Sequence, residues 1–154
     1  MSPVARENSL RFGWVLPGLL AGCRRPDEPS DYDLLVRQGV RTLVSLLEVP
    51  RLPGFAGRFE LRHAHIPILD GSPPQVSQLD EFIDVVRTRG PACVHCLAGI
   101  GRTGCMLTGF LSRARGLAPA EAIRQVEGLR GYAFQTWQQE MWIYSLTPRM
   151  LEAE

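Results

Sequence analysis

The sequence predicts a single compact α/β domain built on a central mixed, mostly parallel sheet flanked by helices. Three observations lead there. Short β-branched apolar runs alternate with segments of helical periodicity, Gly and Pro punctuate the joints, and 154 residues suit one domain. A chain of this length buries roughly two thirds of the surface its unfolded form exposes, so it needs no disulfide or metal to fold.

The elements follow in order. Residues 14–21 suggest an opening strand pair turned at Pro17-Gly18. Residues 31–38 read as a helix, with Asp31 as its cap, Leu34 and Leu35 as its apolar face and Gly39 at its end. Residues 40–47 form the next strand by β-branched content and brevity. A Pro- and Gly-rich loop covers 49–57, and a shorter strand over 61–66 runs into Pro67. Asp70-Gly71-Ser72-Pro73-Pro74 is a strong turn signal. Over 75–89, Val76, Leu79, Phe82, Ile83 and Val86 recur at three- and four-residue intervals, which predicts a helix. A short apolar strand over 91–95 comes next. Helices over 104–115 (closed by Gly116), 119–129 (opened by Pro119) and 136–146 complete the chain.

Composition narrows the function only by exclusion. With 45% hydrophobic residues, 21% charged residues and a net charge of +1, nothing argues for a nucleic-acid or membrane partner. Affinity for an anion must come from a local arrangement. No apolar run approaches the roughly 18 residues of a membrane span. The run 14–23, which follows Arg6, Glu7 and Arg11 and ends Leu20-Ala21-Gly22-Cys23, has the look of a bacterial lipoprotein box, a minor alternative to a strand and turn. The expectation is a cytoplasmic monomer.

Of four cysteines, Cys93 and Cys105 lie inside apolar runs and read as buried, inert thiols. His63 and His65 alternate on a strand with no carboxylate or cysteine at ligand spacing, so exposed histidines are expected rather than a metal site. Arg24 and Arg25 read as a solvated pair.

Cys96 differs from the other cysteines in its neighbours. The run Val94-His95-Cys96-Leu97-Ala98-Gly99-Ile100-Gly101-Arg102-Thr103-Gly104 places it where a strand ends, with a glycine loop, an arginine and a helix following. Glycines let the loop curl with its N–H groups inward, and the helix adds its positive end. Such a cup over residues Leu97, Ala98, Gly99, Ile100, Gly101 and Arg102 holds a phosphate-like dianion, which Arg102 can grip with a bidentate fork. The same field favours thiolate over thiol, and sites of this kind have pKa values of about 3.5–7.5.

His95-Cys96, five residues, then Arg102-Thr103-Gly104 resembles the active-site loop of the protein tyrosine phosphatase superfamily. Chain length best matches its small dual-specificity members. Residues 14–22, Val44-Ser45-Leu46 and Ile66-Pro67 are similar to the compact cyclin-like relatives. The resemblance implies a PTP-like fold and metal-independent hydrolysis of phosphate monoesters through a phosphocysteine, with no cofactor. Cys96 would be the nucleophile and Arg102 the phosphate clamp. Thr103 would hydrogen-bond the leaving thiolate, and His95 would hold the loop from beneath. Asp70 would be the general acid, although relatives place that acid directly after the Ile-Pro pair and here Ile68 and Leu69 intervene. Asp80, the nearest competitor, falls in a helical repeat expected to face solvent. Gln139 resembles the glutamine that orients the hydrolytic water, with Gln135 as a secondary candidate.

A rhodanese-like sulfurtransferase and a non-catalytic phospho-binding module are the alternatives outside the class; a lipid or RNA-end phosphatase is the alternative within it. Leu97, Ala98 and Ile100 put no base inside the loop, which favours a phosphorylated protein or a small aryl phosphate. Phosphotyrosine is expected, with phosphoserine and phosphothreonine open. Whether Cys93 could trap Cys96 as a disulfide also stays open.

Overall fold

The computed structural model describes residues 9–49 and 51–149. Five strands form one sheet: β1 (Gly13–Leu16), β2 (Leu20–Cys23), β3 (Thr42–Ser45), β4 (Arg62–His65) and β5 (Ala92–His95). Their spatial order is β1-β2-β5-β3-β4. β1 and β2 pair antiparallel, and the other three pairings are parallel. The predicted mixed, mostly parallel sheet is therefore present. β5 lies at its centre, so the chain leaves His95 at the carboxyl edge of the sheet, where ligands of such sheets sit.

Alternation of side chains divides the core in two. On one face Leu20, Val44 and Val94 pack beneath four helices, α2 (Val76–Arg89), α3 (Gly101–Gly109), α4 (Pro119–Arg130) and α5 (Trp137–Ile143), which contribute Phe82, Met106, Val126 and Ile143. The other face carries Ala21, Leu43 and Cys93. Its cover is thinner: α1 (Pro29–Arg37), with Tyr32 and Leu35, and a 3-10 turn (Ala56–Arg58) flanked by Phe55 and Phe59.

The ends of elements differ from expectation in informative ways. Asp31 does not cap α1. Glu28 does, Pro29 opens the first turn, and the Asp31 carboxylate accepts from the backbone N–H groups of Asp27 and Glu28 at 3.0 and 3.1 Å. β3 is shorter than the apolar run that predicts it because Leu46 and Leu47 are buried beyond the last ladder pair. α3 begins at Gly101, three residues before the predicted start, and its last turn widens into a π-helical segment, Phe110–Ala114. α5 is confined to seven residues with Thr136 as its cap.

Asp80 is not a free solvent-facing carboxylate. Arg113 donates to both of its oxygens, at 2.7 and 3.0 Å, and that fork holds its carboxyl below the usual range. His63 and His65 are exposed on edge strand β4, as expected.

Candidate active site

Cys96 follows β5 directly and is 4% exposed. The loop after it turns its carbonyls outward, each onto a donor from another part of the chain. Leu97 O accepts from the Arg25 backbone N–H at 3.0 Å, Ala98 O from Arg11 Nη1 at 3.3 Å, and Gly99 O from Arg130 Nη2 at 2.7 Å. In a trans peptide the next N–H points the opposite way. The N–H groups of Ala98, Gly99 and Ile100 therefore face the inside of the loop. Those of Gly101, Arg102 and Thr103, in the first turn of α3, have no intrahelical acceptor and add to the same cup.

Gly99 is required twice over. Its φ is +77°, and a Cβ there would come within 2.5 Å of Cys23 O. At Gly101 a Cβ would meet the Gln139 amide at 2.7 Å and Gln135 Cβ at 2.9 Å, which shows how closely both glutamines pack on the loop.

Thr103 Oγ1 donates to Cys96 Sγ at 3.1 Å. Beneath the loop, His95 Nδ1 lies 3.1 Å from Cys96 O. A carbonyl only accepts, so Nδ1 carries the proton and Nε2 keeps its lone pair. Burial lowers the pKa of this histidine to about 4, so it is neutral at pH 7.

Arg102 is buried at 3% exposure with its guanidinium spread between two acids. Nη1 donates to Glu48 Oε1 and to Ile68 O at 3.0 Å, while Nη2 lies 3.5 Å from Asp70 Oδ1. Nε is buried and has no partner among the described residues. A phosphate seated in the cup would satisfy it. Glu48 is held below the usual carboxylate range, first by its own backbone N–H and then by Arg102. It stays an anion and anchors the arginine. Sequence reasoning missed it. The available signal was a single carboxylate ending the apolar run that β3 delivers to the carboxyl edge of the sheet.

Asp70 is 61% exposed on a loop pinned from α5. Thr136 Oγ1 donates to Gly71 O at 2.8 Å and Gln139 Nε2 to Ser72 O at 3.4 Å. Gln139 is fully buried, and its Oε1 accepts from the N–H groups of Gln135 and Thr136 at 2.9 and 3.1 Å. One Nε2 hydrogen remains uncommitted beside Gly101. Every residue predicted for the site thus converges on one locus: Cys96, Arg102, Thr103 and His95 on the loop, Asp70 at its mouth, Gln135 and Gln139 on its flank. Arg11 and Arg130 were not foreseen, and neither was the backbone contact of Arg25. The side chains of Arg24 and Arg25 are engaged locally, with Asp31 and Asp27.

Cys93 and Cys105 are buried, and burial raises both thiols. Cys93 Sγ lies 3.4 Å from Cys23 Sγ in the core on the thinly covered face, whereas Cys96 packs with the opposite core. The neighbour of Cys93 is therefore Cys23. Among the described residues no group of three or more His, Cys, Asp or Glu side chains could hold a metal ion.

Comparison with known proteins agrees with this geometry. Residues 9–151 match the family described as PTP-SAK: Swiss Army Knife protein, DSP-PTPase phosphatase domain. The Tyrosine-protein phosphatase CDC14 homolog of Schizosaccharomyces pombe is 32% identical over 119 residues, 65% of this chain and 22% of that protein. Dual specificity protein phosphatase 6 of Homo sapiens is 31% identical over 116 residues, 70% of this chain and 29% of its own length. The chain spans less than a third of either relative. Among solved structures, Tk-PTP in the active form superposes with a TM-score of 0.73 at 28% identity, covering 86% of this chain and 92% of that one. P. aeruginosa TpbA in complex with pTyr shares the fold, with a TM-score of 0.75 at 18% identity over 89% and 85% of the two chains. With a matching fold and a family match spanning nearly the whole chain, this protein belongs to the DSP-type family of protein tyrosine phosphatases.

Proposed function

We propose that the chain hydrolyses phosphate monoesters without a metal, through a phosphocysteine at Cys96. The observation that carries this reading is the cup itself. A cysteine sulfur accepts a hydrogen bond at the base of a ring of inward N–H groups, beside a buried guanidinium with an unpartnered Nε.

In the first step the Cys96 thiolate forms an S–P bond as the P–O bond to the leaving group breaks. The loop N–H groups and Arg102 stabilise charge on the equatorial oxygens, and Asp70 gives its proton to the departing oxygen. In the second step water attacks phosphorus, the S–P bond breaks and Asp70 takes the proton back. Thr103 Oγ1 stabilises the thiolate that leaves, and the free Nε2 hydrogen of Gln139 orients the water. Glu48 holds Arg102 in place throughout and is a positioning residue.

Substrate choice follows from the rim. Leu97, Ala98 and Ile100 supply no basic side chain inside the loop, which favours a phosphorylated protein or aryl phosphate over a polyanionic headgroup. Phosphotyrosine is the primary expectation, with phosphoserine and phosphothreonine as further substrates.

The test is hydrolysis of para-nitrophenyl phosphate in EDTA with reductant, wild type against Cys96→Ser. Turnover that survives EDTA and disappears in the variant supports the mechanism. A folded wild type without turnover sinks it and directs attention to thiosulfate sulfurtransfer and phosphopeptide binding.

A further inference from the structure

All three histidines of the chain border one cavity of about 220 Å³, on the thinly covered face of the sheet directly behind the phosphate cup. Its position follows from strand register. Ser45 pairs with His95 on one side and His65 on the other, and Leu43 pairs with His63, so these side chains share a face at the carboxyl ends of β5, β3 and β4. Tyr32 from α1 and Leu43 add apolar wall. Phe55 and Phe59 pack on this face against the Tyr32 ring, at centroid distances of 5.3 and 5.6 Å.

Ser45 and the exposed Arg51 join the three histidines and Tyr32 as polar groups at the cavity. His65 Nε2 is committed to Leu47 O at 2.6 Å. His95 and Tyr32 are 5% and 2% exposed. With Nδ1 engaged on Cys96 O, His95 keeps an Nε2 lone pair, and neither that nitrogen nor the Tyr32 hydroxyl has a hydrogen-bond partner among the described residues. Neither atom is among the sealed, unpartnered ones, so both are open to a water-sized probe, and His95 Nε2 can take a donor from a molecule in the cavity. An apolar cavity of about 150 Å³ admits one benzene ring, so this volume takes a ring or two fused rings.

We infer that this cavity is a second ligand site, separate from the phosphate cup, for a one- or two-ring aromatic molecule carrying an N–H or O–H donor, of the indole or phenol class. The ring would lie among Tyr32, Leu43 and His63, and its donor would reach His95 Nε2. Burial keeps His95 neutral near pH 7, which preserves that acceptor. The inference rests on the cavity alone and stands or falls independently of the phosphatase reading.

The experiment uses the intact chain with indole as the probe, read by saturation-transfer NMR and thermal unfolding. The expected result is transfer to indole and a Tm rise of about 3 °C at ten times its Kd, with both persisting when tungstate saturates the cup. His63→Trp, on an exposed edge strand, should fill the cavity and abolish binding while kcat/KM for para-nitrophenyl phosphate stays within about twofold of wild type. Intermolecular NOEs from indole to the Tyr32 and His95 rings report the same contact in wild type, so the question does not depend on the variant folding. Absence of binding at millimolar indole would overturn the site. So would displacement by tungstate, or NOEs to other residues.

Discussion

Glu48 anchors Arg102. Nη1 of the arginine donates to the Glu48 carboxylate, while Nε stays buried and unpartnered. One edge of the guanidinium is thus fixed and the other is left for a phosphate. Glu48 is half-exposed, so its worth lies in orientation more than in net stability. Glu48→Gln keeps an acceptor but loses the charge. Its kcat/KM should fall on the order of fivefold, and Glu48→Ala should fall further. Because the Glu48 pKa is lowered, the contact is present above that value and is lost as pH falls through it. The acidic limb of the wild-type kcat/KM profile that comes from Glu48 should vanish in Glu48→Gln. An unchanged profile and rate would remove Glu48 from the mechanism.

Arg130 is the outside counterpart of the cup. It donates to Gly99 O at 2.7 Å and to Arg11 O at 3.3 Å, bracing the loop from the direction opposite the phosphate. Arg130→Ala should weaken tungstate inhibition and raise KM roughly tenfold, the value of one charge-assisted hydrogen bond. Arg130→Lys should recover part of the loss. Equal tungstate affinity in all three proteins would show that the loop holds its shape without this brace.

Asp70 is read through the leaving group. A general acid contributes about 10²–10⁴-fold where the departing oxygen is basic. Asp70→Asn should therefore depress turnover of phenyl phosphate by that order and spare para-nitrophenyl phosphate, whose leaving group needs little help. Equal losses on the two substrates would make Asp70 a structural partner of Arg102 instead.

His95 links the site to stability. Its native pKa is about 4, while in the unfolded chain it titrates near the ordinary value of about 6.5. Between these values the unfolded state binds the extra proton, so stability falls as pH drops from about 6.5 to 4. The full effect is on the order of 3 kcal/mol. Urea unfolding of wild type and His95→Asn across this window should give a shallower slope for the variant. Parallel slopes would mean that another group carries the dependence.

Much of this molecule is legible in the sequence because its chemistry is local. Cys96, the glycines, Arg102 and Thr103 lie within eight consecutive residues, and a strand before them and a helix after them suffice to form a cup. Strands and helices declared themselves through periodicity, since burial on one face sets the spacing of apolar residues. Element ends were less legible. Asp31 could be read as a cap or as the third residue of a capping box, and only the backbone at Glu28 and Pro29 settles which. Leu46 and Leu47 continue an apolar run past the last ladder pair, because burial and strand pairing need not end together.

What only the tertiary structure decided depends on contacts between distant residues. Glu48 reaches Arg102 across 54 positions, Arg11 reaches Ala98 across 87, and Arg130 reaches Gly99 across 31. Nothing in the local pattern around a surface arginine separates one that braces a phosphate loop from one that is merely solvated. The same holds for the three histidines, whose shared cavity is set by the register of β3, β4 and β5. The sequence by itself determined the strand, loop and helix around Cys96 and Arg102 and the order of the elements, because neighbouring residues encode them. Strand order and packing determined which remote charges hold that cup in shape, because the free energy of those contacts exists only once the chain has closed on itself.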